Sequence, residues 1–183
     1  MNVIAIIPAR MGSTRFPGKP LHNISGIPMI GHCLYRVQLA KGLSDTYVAT
    51  CDKEIADYVE SIDGKIVMTA PSHTRATGRS AEAIWKIESE TGQKFDVVIM
   101  VQGDEPVVSP LDISKVLSSF SEPEITIVNI MSRLHELEEF EDRNNVKVVV
   151  NQNMDLFKKA VHKLLDNQIK SMRESHIADS LFR

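Results

Sequence analysis

The chain opens with a short apolar run that is followed at once by a loop rich in glycine, proline and cations. Residues 3–7 are all apolar, which predicts a buried strand. The loop that follows carries Arg10, Arg15 and Lys19 within ten positions. Small residues let backbone N–H groups approach a ligand closely, and neighbouring cations favour phosphate oxygens. The segment therefore predicts a polyphosphate site at the end of the first strand.

The spacing of this loop excludes two familiar phosphate-binding signatures. A Walker A motif has four residues between its first glycine and its Gly-Lys pair, and Ser or Thr follows the lysine. Here five residues separate Gly12 from Gly18, and Pro20 follows Lys19. The dinucleotide signature G-x-G-x-x-G is also absent from the sequence. The loop therefore predicts another class of nucleotide-binding protein.

Composition limits the class of protein further. A length of 183 residues, with 43% apolar and 25% charged side chains, is typical of one compact globular domain. The net charge of −3 argues against broad binding to nucleic acid or to a membrane. The two cysteines, Cys33 and Cys51, fit neither a disulfide scaffold nor a zinc pattern. The first apolar run is too short for a signal peptide and no stretch could span a bilayer, so we expect a cytoplasmic protein.

Strand and helix patterns alternate along the first 150 residues. The predicted strands are 3–7, 46–50, 65–68, 97–101, 125–130 and 146–150, and the predicted helices are 29–40, 53–61, 79–91 and 112–120. This alternation predicts a three-layer α/β domain with a mainly parallel sheet, and the wholly apolar strand 97–101 is expected at its centre. Residues 151–183 instead predict an amphipathic helix that packs on the domain or on a second copy in a homodimer.

A second motif, Gln-Gly-Asp-Glu-Pro, occupies residues 102–106, where strand 97–101 ends. Open α/β sheets bind ligands at the carboxyl ends of their strands. Asp104 is the candidate ligand for Mg²⁺ on a triphosphate, because Mg²⁺ takes a few carboxylate oxygens together with phosphate oxygens. Gln102 offers both donors and acceptors to a base or a sugar. The alternative for Asp104 is a carboxylate that only caps a helix after a Gly-Asp turn.

Together the two motifs resemble the signature of sugar-activating cytidylyltransferases, and most of all the 3-deoxy-manno-octulosonate (Kdo) cytidylyltransferase family. A third segment, residues 73–83, is similar to the family's His-x-Ser-Gly-Thr-Asp-Arg-x-Ala-Glu-Ala. Three positions in it depart from that pattern: Arg75, Ala76 and Gly78. Residues 48–52 are similar to the family's Val-Ala-Thr-Asp-Asp, with Cys51 in place of the first aspartate.

The resemblance implies a Rossmann-like nucleotide-diphospho-sugar transferase fold. It also implies that CMP passes from CTP to a sugar acid with release of pyrophosphate, with Mg²⁺ as cofactor, for the synthesis of cell-surface polysaccharide such as lipopolysaccharide. The residues and the resemblance together assign catalytic roles to Arg10, Lys19 and Asp104. They assign substrate-binding roles to Pro8, Ala9, Gly12, Ser13, Arg15, His73, Arg79 and Gln102.

The resemblance covers about residues 2–150 of a single nucleotidyltransferase domain over 1–183, and residues 151–183 diverge from it. The family's C-terminal features, among them a second metal-binding aspartate, are not recognisable there, so we expect the usual C-terminal part of the family to be lacking. Two alternatives stay open. One is a nucleotidyltransferase for another sugar acid, such as 8-amino-Kdo or a nonulosonate. The other is a truncated chain that binds nucleotide without turnover or acts only as an interaction module.

Three local expectations accompany these assignments. Asp52 is expected to cap the helix over 53–61, because aspartate accepts from the free N–H groups of a first turn. Gly78 is expected to be a weak cap for a helix that begins near Arg79. For Glu82 a solvated or ion-paired position on that helix is favoured, and for His73 the alternative to a ligand role is a loop histidine bonded to backbone.

Overall fold

The computed structural model describes residues 1–12, 16–130 and 136–142 of the chain. Residues 1–124 form one compact unit, and a second begins at Ile125, of which 125–130 and 136–142 are described. The predictions for Ser13, for Arg15, for strand 146–150 and for the helix within 151–183 lie outside the described residues. The site described below belongs to the first unit.

The first unit is an alternation of strands and helices, as its sequence predicts. Its strands are β1 (Val3–Pro8), β2 (Asn23–Ile24), β3 (Ile27–Pro28), β4 (Asp45–Thr50), β5 (Lys65–Met68) and β6 (Val97–Met100). Its helices are α1 (Met29–Gln38), α2 (Lys53–Ser61), α3 (Ala76–Thr91) and α4 (Pro110–Ser119), with a short 3-10 turn at Lys19–Leu21. The second unit contains α5 (Leu137–Glu141). No helix in these described segments is long and apolar enough to cross a bilayer.

Four parallel strands make the main sheet, in the order β5-β4-β1-β6. All six residues of β1 are buried, and β1 pairs with β4 on one side and with β6 on the other. Because parallel strands need crossover connections, the helices between them cover the sheet. The prediction of an α/β fold with a mainly parallel sheet is therefore confirmed. The two short strands β2 and β3 form a separate antiparallel pair.

Alternating residues of β1 supply the two cores on either face of the sheet. Ala5 and Ile7 belong to a buried cluster that includes apolar residues of α1, α2 and α4. Ile4 and Ile6 belong to a second cluster, with Ala83 and other apolar residues from β4, β5 and α3. Successive strand side chains point to opposite faces, so one strand can anchor both helical layers. The three-layer arrangement follows from this alternation.

The structure corrects three of the local expectations. Within the described residues β6 is the last strand of the sheet rather than its centre, and its Val98 is 43% exposed. Residues 125–130 form no strand, so the prediction of a strand there is wrong. Apolar β-branched composition favours strands, but the setting of a segment in the fold can override it. Helix α3 begins at Ala76 with Arg75 at the N-cap, so Gly78 lies inside the first turn and caps nothing.

Candidate functional site

A cleft of about 290 Å³ opens at the carboxyl edge of the sheet. Pro8 ends β1, and Ala9 and Arg10 follow it into one wall of the cleft. The segment after β6 supplies a neighbouring wall through Gln102 and Asp104. These walls meet because β1 and β6 are parallel neighbours, so the loops that follow them leave from the same edge. The position of the cleft is the one that the sequence predicts.

Gly103 lets the two loops approach each other closely. A Cβ atom at this position would lie 2.7 Å from the carbonyl oxygen of Pro8 and 3.2 Å from the Cβ of Ala9. The nearer of these contacts is with backbone, which cannot move aside as a flexible side chain can. Glycine is therefore required here by the packing of one loop on the other, and Gly103 lines the cleft although the sequence did not single it out.

Opposite charges meet inside the cleft. The ammonium of Lys19 lies 2.8 Å from Oδ2 of Asp104, and the two side chains are 32% and 50% exposed. Lys19 begins the 3-10 turn directly after Gly18, whose φ of 72° lies in the left-handed region that glycine favours. The cation and the carboxylate that the sequence motifs predict as separate features are therefore direct neighbours.

The loop after β1, residues 10–18 (the first loop), is tied at both of its ends. The N–H of Gly18 donates to the carbonyl oxygen of Met11 at 3.1 Å. The N–H of Met11 donates to Oδ2 of Asp52 at 2.7 Å. Asp52 does stand at the N-cap position of α2, but its side chain makes no capping hydrogen bond there. The expectation that Asp52 caps the helix is wrong, because its carboxylate instead binds the first loop.

A buried arginine lies on the opposite side of the cleft. Arg79 is only 2% exposed, and its guanidinium donates to the hydroxyl of Thr69, to Sγ of Cys51 at 3.4 Å and to the carbonyl oxygen of His73 at 3.5 Å. These three acceptors are neutral groups. They orient the guanidinium but carry no opposite charge themselves. Arg79 thus lines the cleft as a buried cation, and burying a cation is costly.

Glu82 holds the loop that carries His73. Its Oε2 lies 2.5 Å from Nε2 of His73 and accepts from the N–H of Ala70 at 2.9 Å, and its Oε1 lies 2.8 Å from Nζ of Lys86. Burial opposes ionisation of Glu82, but the hydrogen bonds from Lys86, Ala70 and His73 outweigh it and lower the pKa of the carboxyl to about 2. Glu82 is thus ion-paired, and the imidazole of His73 is bonded to this carboxylate.

The cleft gathers most of the predicted site residues. Those that line it are Pro8, Ala9, Arg10, Lys19, His73, Arg79, Gln102 and Asp104. Gly12 is exposed and is not among the residues that line the cleft, and its role in substrate binding stays a prediction. The sequence analysis missed Thr74, Arg75, Ala76 and Gly103 as lining residues. All four lie within residues 73–83 or 102–106, the segments that resemble the family. The resemblance therefore located these segments correctly, but the binding roles were predicted only for neighbouring residues.

Comparison with known proteins identifies relatives along most of the chain. A family described as cytidylyltransferase matches residues 4–182. The 8-amino-3,8-dideoxy-manno-octulosonate cytidylyltransferase of Shewanella piezotolerans is 43% identical over 151 residues, which are 81% of this chain and 60% of that protein. Its counterpart in Shewanella woodyi is 41% identical over 158 residues, or 85% of this chain and 63% of that protein. The chain thus spans less than two thirds of the length of these curated relatives.

Solved structures of similar proteins were also found. The structure of CMP:2-keto-3-deoxy-manno-octonic acid synthetase complexed with CTP is similar with a TM-score of 0.62 and 36% identity, over 67% of this chain and 49% of that one. The structure of 4-diphosphocytidyl-2C-methyl-D-erythritol synthase is similar with a TM-score of 0.55 over 74% of this chain and 65% of that one. At 15% identity the second likeness shows the fold alone.

The lowered pKa of Glu82 gives a prediction for stability against pH. A carboxyl whose pKa is about 2 in the folded chain and near 4.5 when unfolded stabilises the fold fully above pH 4.5, and that contribution is lost as pH falls towards 2. From pH 5 to pH 3.5 the loss is roughly 1 kcal/mol. Urea unfolding should therefore show that the difference in unfolding free energy between the wild type and Glu82→Gln shrinks by about that amount over this interval.

The exposed Glu90 on the same helix provides the control for this measurement. Glu90→Gln should differ from the wild type by the same small amount at both pH values. If the gap between wild type and Glu82→Gln stays constant from pH 5 to pH 3.5, the hydrogen bonds to Glu82 do not stabilise its ionised form.

Proposed function

Because the chain belongs to the cytidylyltransferase family, we propose that it binds CTP in the cleft and transfers CMP to a sugar acid with release of pyrophosphate. The observation that carries the proposal is the juxtaposition of Arg10, Lys19 and Arg79 with the single carboxylate of Asp104 at the carboxyl edge of a parallel sheet. Such a set of charges suits a polyanion that brings its own divalent cation. We propose the cytoplasm as the compartment of this biosynthetic activity.

The acceptor that we propose is a sugar acid of the 3-deoxy-manno-octulosonate class. The curated relatives are named for the 8-amino-3,8-dideoxy form, and the similar structure with bound CTP is named for the keto-deoxy-octonic acid. A CMP-activated sugar of this class would supply the assembly of cell-surface polysaccharide. Whether the amino or the hydroxyl form is preferred is decided by testing both acceptors.

The triphosphate is assigned to the wall that the first loop and the Lys19 turn build. Arg10 is exposed at the mouth of this wall, and Lys19 is half-exposed beside it. Lys19 contacts Asp104 through a partly exposed ion pair, and such pairs contribute little net stability. Phosphate oxygens can therefore replace the carboxylate as partners of the ammonium at low energetic cost.

The residues present fit one Mg²⁺ ion that arrives with the nucleotide. Mg²⁺ is usually held by one or two carboxylates together with substrate phosphates and water, rather than by a cage of protein ligands. Asp104 offers one half-exposed carboxylate in the cleft, and the described residues contain no cluster of three or more His, Cys, Asp or Glu side chains. When bound, the ion would neutralise charge that develops on the leaving pyrophosphate.

The protein's own contribution to the reaction is placement and charge. A hydroxyl oxygen of the sugar acid attacks the α-phosphorus of CTP and releases its proton to water, and the bond from that phosphorus to the oxygen that bridges to the β-phosphate breaks as pyrophosphate leaves. Arg10 and Lys19 hold the phosphates in line with the attacking oxygen and stabilise the negative charge that moves onto pyrophosphate. Arg79 and Gln102 are assigned to the nucleoside, as its donors and acceptors, with Pro8 and Ala9 as the wall that it packs on.

The first test is nucleotide choice. In the presence of Mg²⁺, titration calorimetry should show that CTP binds at least about tenfold more tightly than UTP, ATP or GTP, a difference of about 1.4 kcal/mol. Pyrophosphate release should then be measured with CTP across a panel of sugar acids that includes Kdo and its 8-amino form. Equal affinity for all four nucleotides would contradict the cytidylyltransferase assignment, and CTP binding without release on any acceptor would contradict turnover.

The second test addresses the phosphate wall. Lys19→Ala should weaken CTP binding by roughly 1.5–3 kcal/mol, because a charge-assisted contact to a phosphate is lost. CMP, which lacks the outer phosphates, should lose less. Lys115→Ala is the matched control, since Lys115 is an exposed lysine on α4 that pairs only loosely with Asp112 at 3.4 Å. An equal loss for CMP and CTP would show that Lys19 serves the fold rather than the ligand.

The third test addresses the metal. In Asp104→Asn, the enhancement of CTP binding by Mg²⁺ should shrink by about tenfold, because the protein ligand of the ion loses its charge. CTP binding without Mg²⁺ should persist, since the substitution also releases Lys19 from its carboxylate partner. Asp112→Asn on α4 removes an equivalent exposed charge and should leave the effect of Mg²⁺ unchanged. A full Mg²⁺ effect in Asp104→Asn would remove Asp104 from the metal site.

A further inference from the structure

Asp52 stands where an aspartate usually caps a helix, but it uses its side chain elsewhere. Its backbone is fixed by its own neighbours: its N–H donates to the hydroxyl of Thr50 at 3.1 Å, and its carbonyl oxygen accepts from the N–H of Ala56 at 3.2 Å. The carboxylate makes no capping bond to α2 and accepts instead from the N–H of Met11 at 2.7 Å. The carboxylate of Asp52, at the start of α2, thus binds the backbone of a residue 41 positions earlier in the sequence.

Met11 lies just beyond the end of β1. The last backbone contact of this segment with β4 runs from the N–H of Ala9 to the carbonyl oxygen of Ala49 at 2.9 Å. Two residues later both polar backbone groups of Met11 are bonded, the N–H to Asp52 and the carbonyl oxygen to Gly18. Met11 is therefore the point at which both ends of the first loop are fixed to the body of the domain.

The two cations of the phosphate wall flank this point. Arg10 directly precedes Met11, and Lys19 directly follows Gly18, whose N–H closes the loop onto Met11. A shift of Met11 would therefore move both cations together. Hydrogen bonds to charged groups contribute more than neutral ones, so the bond to the half-buried carboxylate restrains such a shift.

The same carboxylate also reaches the opposite side of the cleft. Sγ of Cys51 lies 3.6 Å from Oδ2 of Asp52 and accepts from the guanidinium of Arg79 at 3.4 Å. Oδ2 is thus shared by the backbone of the first loop and by the thiol that contacts the buried arginine. These contacts connect the two cationic walls through residues that do not themselves line the cleft.

We propose that Asp52 is a positioning residue whose carboxylate fixes the N–H of Met11 and thereby sets the places of Arg10 and Lys19 for a polyphosphate ligand. The inference rests on the proposed function in taking a triphosphate as the ligand of those two cations. It assigns no contact with the ligand to Asp52 itself. The expected consequence is selective: phosphate recognition depends on Asp52, and nucleoside recognition depends on it less.

The test compares four variants with the wild type. Asp52→Ala and Asp52→Ser both remove the reach to Met11, and serine retains a hydroxyl that suits an N-cap if alanine does not fold. Asp52→Asn keeps a carbonyl oxygen that can accept from the same N–H. Asp57→Ala is the control, because Asp57 is an exposed aspartate on the same helix whose described partner is Lys53 at 2.5 Å.

Two measurements decide the outcome. The first is the hydrogen-exchange rate of the Met11 amide, which should rise at least about tenfold in Asp52→Ala and Asp52→Ser. The second is the set of dissociation constants for CTP, CMP and inorganic tripolyphosphate. CTP and tripolyphosphate should each bind about tenfold more weakly in these two variants, and CMP no more than about threefold. Asp52→Asn should stay within about threefold of the wild type throughout, and Asp57→Ala should be unchanged.

A merely structural role would give a different pattern. If Asp52→Ala and Asp52→Ser lower the melting temperature but leave the ratio of CTP to CMP affinity at its wild-type value, the inference is overturned while the proposed function stands. If tripolyphosphate binding weakens as expected but the wild type shows no preference for CTP, the positioning role holds and the cytidylyltransferase assignment fails.

Discussion

The pairing of β1 with a parallel neighbour on each side is the constraint on which the rest of the structure depends. It buries every residue of β1 and lets its alternating side chains anchor the helical layers on both faces. It also brings the ends of β1, β4 and β6 to one edge of the sheet. The loops that leave this edge carry Arg10, Asp52 and Asp104. The same hydrogen-bonded ladder that makes the core therefore sets the places of Arg10 and Asp104, the proposed ligand-binding groups, and of Asp52, the proposed positioning residue.

The charged side chains in the cleft have contacts that a ligand can replace. The pair of Lys19 with Asp104 is partly exposed, and its net contribution to stability is small because water competes with it. Arg79 is different, because its guanidinium is buried and its described hydrogen-bond acceptors are all neutral groups. A triphosphate with a divalent cation matches both situations. In the proposed complex the phosphates offer oxygens to the ammonium of Lys19, the cation is a partner for the carboxylate of Asp104, and the nucleoside offers acceptors to the guanidinium of Arg79.

Local patterns in the sequence predicted local structure well. The helix over 53–61 and the strand over 65–68 have the predicted bounds, because short-range periodicity decides both elements. Eight of the predicted site residues meet in one cleft, since each lies just after a strand end or in a segment beside it. Contacts between distant segments could not be predicted in this way. The bond from Met11 to Asp52 and the requirement for Gly103 beside Pro8 arise only when the sheet brings separate loops together.

Three carboxylates near the carboxyl edge of the sheet, those of Asp52, Glu82 and Asp104, have two kinds of role. Only their contacts in the folded chain distinguish these roles. Asp52 and Glu82 each accept a backbone N–H, from Met11 and from Ala70, and so hold the loops on opposite sides of the cleft. The lowered pKa of Glu82 shows that its hydrogen bonds stabilise the ionised carboxylate. Asp104 is half-exposed and contacts the ammonium of Lys19. Asp104 is paired with a partly exposed side chain and not with a backbone N–H, which supports its proposed role as the carboxylate that exchanges its partner for a ligand.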